Sequence, residues 1–267
     1  MFLEIFQYDF IVRGLIAGVI VGLIAPLIGV FLVLRRYSLI ADTLSHVSLA
    51  GIALGLIFGW NPAIAALGTT VIAALGLEKL RISKKIYNDA ALAMYLSGSL
   101  ALAVVLLSLA KGFNASLFNY LFGSIVTVTI YDIYIMLVLA LVVVASFFLF
   151  FKEIVFITFD EEAAQVAGLP VRLVNTVFII LAALTISLAI PIIGVLLIAA
   201  MIVIPAVTAL QLRQSLIPTI IYAEIFSLLA VLAGLLLSFY FDLATGGTIV
   251  LVMLFIFSLV FIAKPRT

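Results

Sequence analysis

The sequence predicts an all-α, polytopic membrane protein with eight or nine spanning helices. Its 267 residues are 67% hydrophobic and 9% charged, whereas soluble domains are about 45–50% apolar and about 25% charged. Apolar runs of the length needed to cross a hydrocarbon core, about 20 residues, recur along the whole chain. The basic residues cluster between alternate runs. We therefore expect one transmembrane domain covering residues 1–267.

Nine apolar runs are candidate spans. They cover residues 11–34, 39–59, 62–78, 89–109, 131–151, 173–190, 192–211, 216–239 and 246–263. The first residues carry Glu4 and Asp9 but no early Lys or Arg, so they lack the positive start of a cleaved signal peptide. We expect residues 2–9 to be a short interfacial segment that leads into a retained first span.

The composition excludes several classes of protein. A net charge of +1 without a basic patch argues against a nucleic-acid-binding protein. The absence of cysteine removes disulfides, thiolate metal sites and thiol catalysis. No phosphate-binding motif of the form G-x-x-x-x-G-K-[ST] occurs, so this chain is not expected to hydrolyse ATP. An intramembrane enzyme is disfavoured because the single histidine is not part of an H-E-x-x-H motif.

The distribution of Lys and Arg predicts the orientation, because basic residues are retained on the cytoplasmic side. With nine spans and residues 79–85 inside, only Arg13 and Lys111 lie outside. The predicted cytoplasmic residues are Arg35, Arg36, Lys79, Arg81, Lys84, Lys85, Lys152, Arg172, Arg213, Lys264 and Arg266. We expect a cell-membrane protein with its N-terminus outside and its C-terminus inside.

Asp42 and His46 are the candidate metal ligands. They lie four residues apart in the second run, within ADTLSHVSLAGIALG, and residues at that spacing share a helix face. Ten helical residues from Arg36 to His46 rise about 15 Å, roughly half of a ~30 Å hydrocarbon core. A charged Asp at that depth costs roughly 2.5–3.5 kcal/mol, so a partner or a water-filled path is expected.

Two structural alternatives remain at this point: Asp42 could cap a helix, and His46 could be a hydrogen-bonded packing residue. The functional interpretation is a site for a divalent cation, because imidazole with carboxylate suits borderline ions such as Zn²⁺. One chain supplies two ligands, and two copies facing each other across a pore would supply four, enough for tetrahedral Zn²⁺. Mn²⁺ would need additional oxygen ligands. Metal binding requires neutral imidazole and should weaken at low pH.

Other acidic residues are weaker candidates. Glu224 lies about nine residues into the run 216–239 and is either hydrogen-bonded within the bundle or part of the pathway. Asp89 is expected to cap a helix, and Asp132 and Asp242 lie at outer span ends. The outer segment Lys111 to Ile130 is long enough to re-enter the membrane or to form an interfacial helix.

A short helix is predicted inside the cytoplasmic loop of about residues 152–172. Acidic residues at the start favour a helix N-terminus, and Gly168 with Pro170 favours its end. The stretch EEAAQVAGLP contains the pattern E-A-A-x-x-x-G, which begins at Glu162. An ordinary surface turn is the alternative.

This pattern resembles the coupling loop of ATP-binding-cassette importer permeases, which docks on a separate ATPase subunit. ADTLSHVSLAGIALG and GVLLIAAMIVIPAVTA resemble stretches of the zinc and manganese permeases of that superfamily. Thr43 and the residues Val47 to Ala50 look more like the zinc branch. The resemblance implies that Asp42 and His46 line the metal path. It also implies an ATPase contact formed by Asp160, Glu161, Glu162, Ala163, Ala164, Gly168 and Pro170.

The resemblance implies a permease homodimer, two ATP-binding subunits and an extracytoplasmic metal-binding protein, with Zn²⁺ or Mn²⁺ as cargo and no permanently bound cofactor. The expected function is ATP-driven import of divalent metal by alternating access, with Zn²⁺ favoured over Mn²⁺ or Fe²⁺. The alternative is a stand-alone secondary carrier in which Asp42 and His46 relay protons. The predicted coupling helix argues against that alternative, because such a carrier has no ATPase to dock.

Overall fold

The computed structural model describes residues 8–83, 87–109, 115–124, 126 and 128–263. Twelve helices and no strands occur in these ranges. The helices are α1 (Asp9–Leu34), α2 (Ser38–Phe58), α3 (Pro62–Ser83), α4 (Asn88–Leu109), α5 (Ala115–Phe122), α6 (Ile130–Leu149), α7 (Phe151–Phe159), α8 (Glu161–Val166), α9 (Val171–Ile193), α10 (Ile198–Leu210), α11 (Leu216–Phe241) and α12 (Thr245–Ala263). Most of the predicted interfacial segment 2–9 and the basic residues Lys84, Lys85, Lys111, Lys264 and Arg266 lie outside the described ranges.

Eight helices are long and apolar enough to cross a membrane: α1 to α4, α6, α9, α11 and α12. The prediction of an all-α protein with eight or nine spans is confirmed. The ninth candidate, residues 192–211, instead forms the 13-residue helix α10, which follows the non-helical residues 194–197. Gly194 ends α9 with a positive φ of 80°, a conformation that favours glycine over residues with a side chain.

The residues before α10 are hydrogen-bonded to the end of α5. The amide of Val195 donates to the carbonyl of Tyr120 at 2.9 Å, and the amide of Leu196 donates to that of Leu121 at 3.2 Å. In return, the amide of Ser124 donates to the Pro191 carbonyl at 3.2 Å. These bonds satisfy backbone groups that would otherwise be unpaired in an apolar setting. Within the segment Lys111 to Ile130, the structure has the short helix α5, whose end is hydrogen-bonded to the non-helical residues between α9 and α10.

Small residues set the closest helix contacts. Gly18 and Gly22 of α1 face Val231 of α11, and Gly51 and Gly55 of α2 face the first turns of α3. A methyl group at any of these positions except Gly22 would meet an atom closer than 3.0 Å. The glycines spaced four apart in the sequence are thus contact surfaces between helices of one chain, as expected for helices packed in lipid.

The contacts define two ends of the bundle. At the α8 end, the ends of α1 and α3 meet the starts of α2 and α9, together with α7 and α8. At the α5 end, a cavity is lined by residues from the starts of α3 and α6, from α5 and from the end of α9. Ser238 near the end of α11 also contacts Thr245 at the start of α12 there.

Candidate metal site

Asp42 and His46 lie on one face of α2. The Nε2 atom of His46 is 3.7 Å from Oδ1 of Asp42. The Asp42 side chain is 39% exposed, and that of His46 is 15% exposed. Leu39, three residues earlier, is also exposed. The i, i+4 prediction is therefore confirmed in its geometry: carboxylate and imidazole point toward the same space.

The helix start excludes a capping role for Asp42. The first residue of α2 is Ser38 and its N-cap is Tyr37, with no capping bond from a side chain. Asp42 therefore lies in the second turn of the helix, where the amides of the first turn are out of reach. Nearby hydroxyls are used within α2: Thr43 donates to the Leu39 carbonyl at 2.9 Å, and Ser45 donates to the Asp42 carbonyl at 2.7 Å.

The second ring nitrogen of His46 has unused bonding capacity. Nδ1 is buried and has no hydrogen-bond partner among the described residues. A buried polar atom without a partner loses free energy relative to water, and the nitrogen that faces Asp42 is the other one, Nε2. The interpretation of His46 as a hydrogen-bonded packing residue is not supported by this geometry.

One copy of the chain provides two candidate ligands. Within the described residues, no group of three or more His, Cys, Asp or Glu side chains could hold a metal ion. Glu224, half-buried on α11, is not brought into a cluster with Asp42 and His46. The other acidic residues have local roles: Asp132 forms a capping box with Thr129 at the start of α6, and Asp242 caps α11.

The predicted short helix is confirmed as α8. Asp160 is its N-cap, and its side chain accepts a hydrogen bond from the amide of Ala163 at 2.8 Å. At the other end, the Leu169 amide donates to the Ala164 carbonyl and the Gly168 amide to that of Gln165. This pair of bonds is a Schellman motif, which explains the positive φ of 82° at Gly168. Pro170 then forms the N-cap of α9.

Most of α8 is exposed, as a docking element would be. Glu162 and Gly168 face solvent, the Glu161 side chain is about half exposed, and Ala163 is half-buried. Ala164 is fully buried and anchors the helix against the bundle. The short helix therefore projects from the α8 end with one apolar contact beneath it.

Sequence reasoning missed a polar network beside α8. Glu78 is 2% exposed, and its two carboxylate oxygens accept hydrogen bonds from Nε and Nη2 of Arg81, both at 2.8 Å. Arg35, which caps α1, donates to Thr158 at 2.8 Å and to Asn175 at 2.9 Å, and it lies 4.4 Å over the ring of Phe178. Burial lowers the pKa of Arg35 to about 10. The sequence signal was the i, i+3 spacing of Glu78 and Arg81 at the end of a span.

The fold and the site define the chain as a polytopic helical membrane protein with a polar pair inside one span. A model of the ABC 3 transport family matches residues 7–264. The chain belongs to this family and is a membrane permease subunit of a metal-transporting ABC system.

Known relatives match over nearly their whole length. The chain is 34% identical to the manganese transport system membrane protein MntC of Listeria monocytogenes, covering 100% of this chain and 95% of that protein. It is 31% identical to the high-affinity zinc uptake system membrane protein ZnuB of Haemophilus influenzae, covering 97% of this chain and 100% of that protein. The solved structure of PsaBC from Streptococcus pneumoniae in complex with Fab matches with a TM-score of 0.88 and 31% identity, covering 99% of this chain and 97% of that chain.

Proposed function

We propose that this permease imports Zn²⁺ into the cytoplasm, with Asp42 and His46 as its metal ligands. The observation that carries the proposal is the pair itself: Oδ1 of Asp42 and Nε2 of His46 lie 3.7 Å apart on a partly exposed face of α2. Relatives named for zinc and for manganese both occur. The nitrogen ligand favours Zn²⁺, because Mn²⁺ prefers a larger set of oxygen ligands.

The two-ligand site implies a homodimer. The exposed face of Leu39, Asp42 and His46 would face the same residues of a second copy across a pore. Two carboxylates and two imidazoles then give the four ligands of tetrahedral Zn²⁺. Because each copy contributes only half of the set, a small separation of the two α2 helices would release the ion.

The energy source is proposed to be an ATPase pair docked on α8. Asp160 to Ala164 and Gly168 to Pro170 form a capped, exposed helix and turn, a compact surface for a partner subunit. The chain has no phosphate-binding motif of its own. ATP binding by the partner would displace α8, the bundle would alternate between outward and inward openings, and an extracytoplasmic binding protein would deliver the ion.

Glu224 is proposed as a secondary pathway residue. It is half-buried on α11 within a spanning helix. A carboxylate at that depth is expensive unless it meets water or a cation. It would attract the passing ion without belonging to the Asp42 and His46 site.

The test is ATP-dependent uptake by the permease reconstituted with its ATPase, using radioactive Zn²⁺ and Mn²⁺ in parallel. We expect Asp42→Asn and His46→Ala to reduce Zn²⁺ uptake by at least about 100-fold, since each removes half of one copy's ligands. Glu224→Gln should reduce uptake less. Thr43→Val is the matched control, because Thr43 lies on the same helix but its hydroxyl donates a hydrogen bond to the Leu39 carbonyl.

Three results would change the proposal. Normal uptake by both the Asp42 and His46 variants would make the pair structural. Preferential uptake of Mn²⁺ would keep the mechanism and replace the proposed cargo. Uptake that follows a proton gradient without ATP or the ATPase would identify a secondary carrier.

A further inference from the structure

Glu161, the first residue of α8, contacts two spanning helices at once. Its Oε1 accepts a hydrogen bond from Nδ2 of Asn175 on α9 at 3.1 Å. Its Oε2 lies 3.5 Å from Nη1 of Arg81 on α3. The short helix that projects toward the predicted ATPase is therefore tied to the bundle through one carboxylate.

The Arg81 branch leads to the start of α2. Nη1 of Arg81 also donates to the hydroxyl of Tyr37 at 2.8 Å, and the guanidinium lies 5.6 Å from the centre of the Tyr37 ring. Tyr37 is the N-cap of α2. Because Glu78 holds the other side of the Arg81 guanidinium through two hydrogen bonds, Arg81 cannot move independently of α3. Arg81, at the end of α3, therefore contacts both Glu161 and the first turn of the helix that carries Asp42.

The Asn175 branch leads to α1. Oδ1 of Asn175 accepts from Nη1 of Arg35 at 2.9 Å, and Arg35 also donates to Thr158 of α7 at 2.8 Å. Asn175 is 2% exposed, so this branch lies inside the bundle. It holds α1, α7 and α9 together around Glu161. It does not include a residue of α2, so the connection from Glu161 to α2 is the Arg81 branch.

The start of α2 has space to move. A cavity of about 440 Å³ lies beside its first turn and is lined by Tyr37 and Ile40 of this segment, by Leu77 and Glu78 of α3, and by Leu92 of α4, among others. Packed interiors transmit displacement but resist it where no free volume exists. This cavity leaves room beside Tyr37 for the α2 start to shift.

We propose that Glu161 is a positioning residue that couples movement of α8 to α2 through Arg81 and Tyr37. This proposal rests on the proposed function, in which an ATPase moves α8. Glu161 does not touch the metal; it determines when the segment of Asp42 and His46 moves. Its side chain is 48% exposed, and half-exposed ion pairs contribute little to stability. Loss of its charge should therefore alter coupling much more than folding.

The experiment measures the movement of α2 in the assembled permease–ATPase complex. The chain has no cysteine, so Leu39→Cys provides a single reporter. Because Leu39 shares the face of the proposed metal site, the reporter is used only for labelling without added metal, and uptake is measured with Leu39 in place. Leu39 is 57% exposed and lies three residues before Asp42. The rate of maleimide labelling is compared with and without ATP. In the otherwise unaltered chain we expect ATP to change this rate by about fivefold or more, the lower end of typical coupling between sites.

Glu161→Gln should reduce the ATP-dependent change to less than about twofold, and Tyr37→Phe, which removes only the hydroxyl, should reduce it partially. ATP hydrolysis should continue in both variants, with fewer metal ions imported per ATP. The matched control is Glu153→Gln on α7, which has the same charge change and whose carboxylate accepts no hydrogen bond among the described residues; it should keep the full change.

A full ATP-dependent change in Glu161→Gln with normal uptake would overturn the coupling role of Glu161. If Glu161→Gln does not assemble with the ATPase, Tyr37→Phe decides, and a full change in that variant overturns the proposal. The absence of any ATP effect in the otherwise unaltered chain would instead contradict the proposed function. Loss of the ATP-dependent change in both Glu161→Gln and Glu153→Gln would show a general effect of charge and would also overturn the specific role of Glu161.

Discussion

Glu78 is the only carboxylate that is fully buried in the part of the chain that the structure describes. Its charge is matched by Arg81, which is itself only 17% exposed. Glu78→Gln should destabilise the protein, because removing one partner leaves the other charge buried. The free energy of unfolding should fall by an amount at the lower edge of the roughly 3–5 kcal/mol typical of broken buried pairs. The effect is at the lower edge because Arg81 retains its contacts with Tyr37 and Glu161.

The measurement is thermal unfolding of the purified protein in detergent, with Glu153→Gln as the control for the same charge change at a partly exposed position. We expect a clear fall in the melting temperature for Glu78→Gln and none for Glu153→Gln. Equal melting temperatures for Glu78→Gln and the unaltered chain would contradict the burial argument.

At the residue scale, the sequence identified individual candidate residues but did not predict the contacts between residues that are distant in the chain. Asp42 and His46 were found because a charged residue and the only histidine interrupt an apolar run. Arg81 was counted only as a cytoplasmic charge, yet it contacts Tyr37, 44 positions away, and Glu161, 80 positions away. Such contacts depend on tertiary packing, which a local pattern does not contain.

At the element scale, the length of α8 depends on Gly168. Its φ of 82° is disfavoured for residues with a side chain, but no atom lies within 4 Å of the place that an alanine methyl group would occupy. Gly168→Ala should therefore destabilise only through the backbone, by about 1–2 kcal/mol. The matched control is Gly98→Ala within α4, which also meets open space but has helical backbone.

In thermal unfolding, the melting temperature of Gly168→Ala should fall and that of Gly98→Ala should rise relative to the unaltered chain. Gly98→Ala should stabilise by up to about 1 kcal/mol, because alanine favours the helix. Binding of the ATPase should weaken in Gly168→Ala, since the end of the proposed docking helix frays. A Gly168→Ala protein as stable as the unaltered chain would mean that the Schellman turn is not needed.

The difference between α8 and α10 shows which elements the sequence could predict. The helix α8 has its own start and stop signals within a few residues, Asp160 and Gly168. The run 192–211 is apolar throughout, and hydropathy alone makes it a full span. The true start of α10 is set by hydrogen bonds from Val195 and Leu196 to α5, a partner five helices earlier in the chain that a local pattern does not reveal.

At the scale of the whole molecule, the proposed orientation predicts which loops are accessible. Trp60 between α2 and α3 is 63% exposed and lies at the proposed outer side, whereas Gln165 on α8 is exposed at the proposed cytoplasmic side. A membrane-impermeant maleimide added to intact cells should label Trp60→Cys. It should label Gln165→Cys only after the membrane is opened.

The native chain, which has no cysteine, is the blank for this experiment. The reverse pattern would invert the proposed topology and remove α8 from the reach of a cytoplasmic ATPase. Labelling of both positions in intact cells would indicate a damaged membrane, and a periplasmic and a cytoplasmic marker protein would reveal it.

The hydrogen bonds between α5 and the residues before α10 have a consequence for biogenesis. The carbonyls of Tyr120 and Leu121 accept hydrogen bonds from the amides of Val195 and Leu196. Tyr120 and Leu121 are synthesised well before Val195 and Leu196, because they come earlier in the chain. When the later segment leaves the ribosome, its acceptor carbonyls have already been synthesised, so partners exist for backbone groups that would otherwise stay unpaired in an apolar setting. The order of synthesis thus matches the order in which the polar backbone groups need each other, and a permuted gene that made α10 before α5 would lose this protection during insertion.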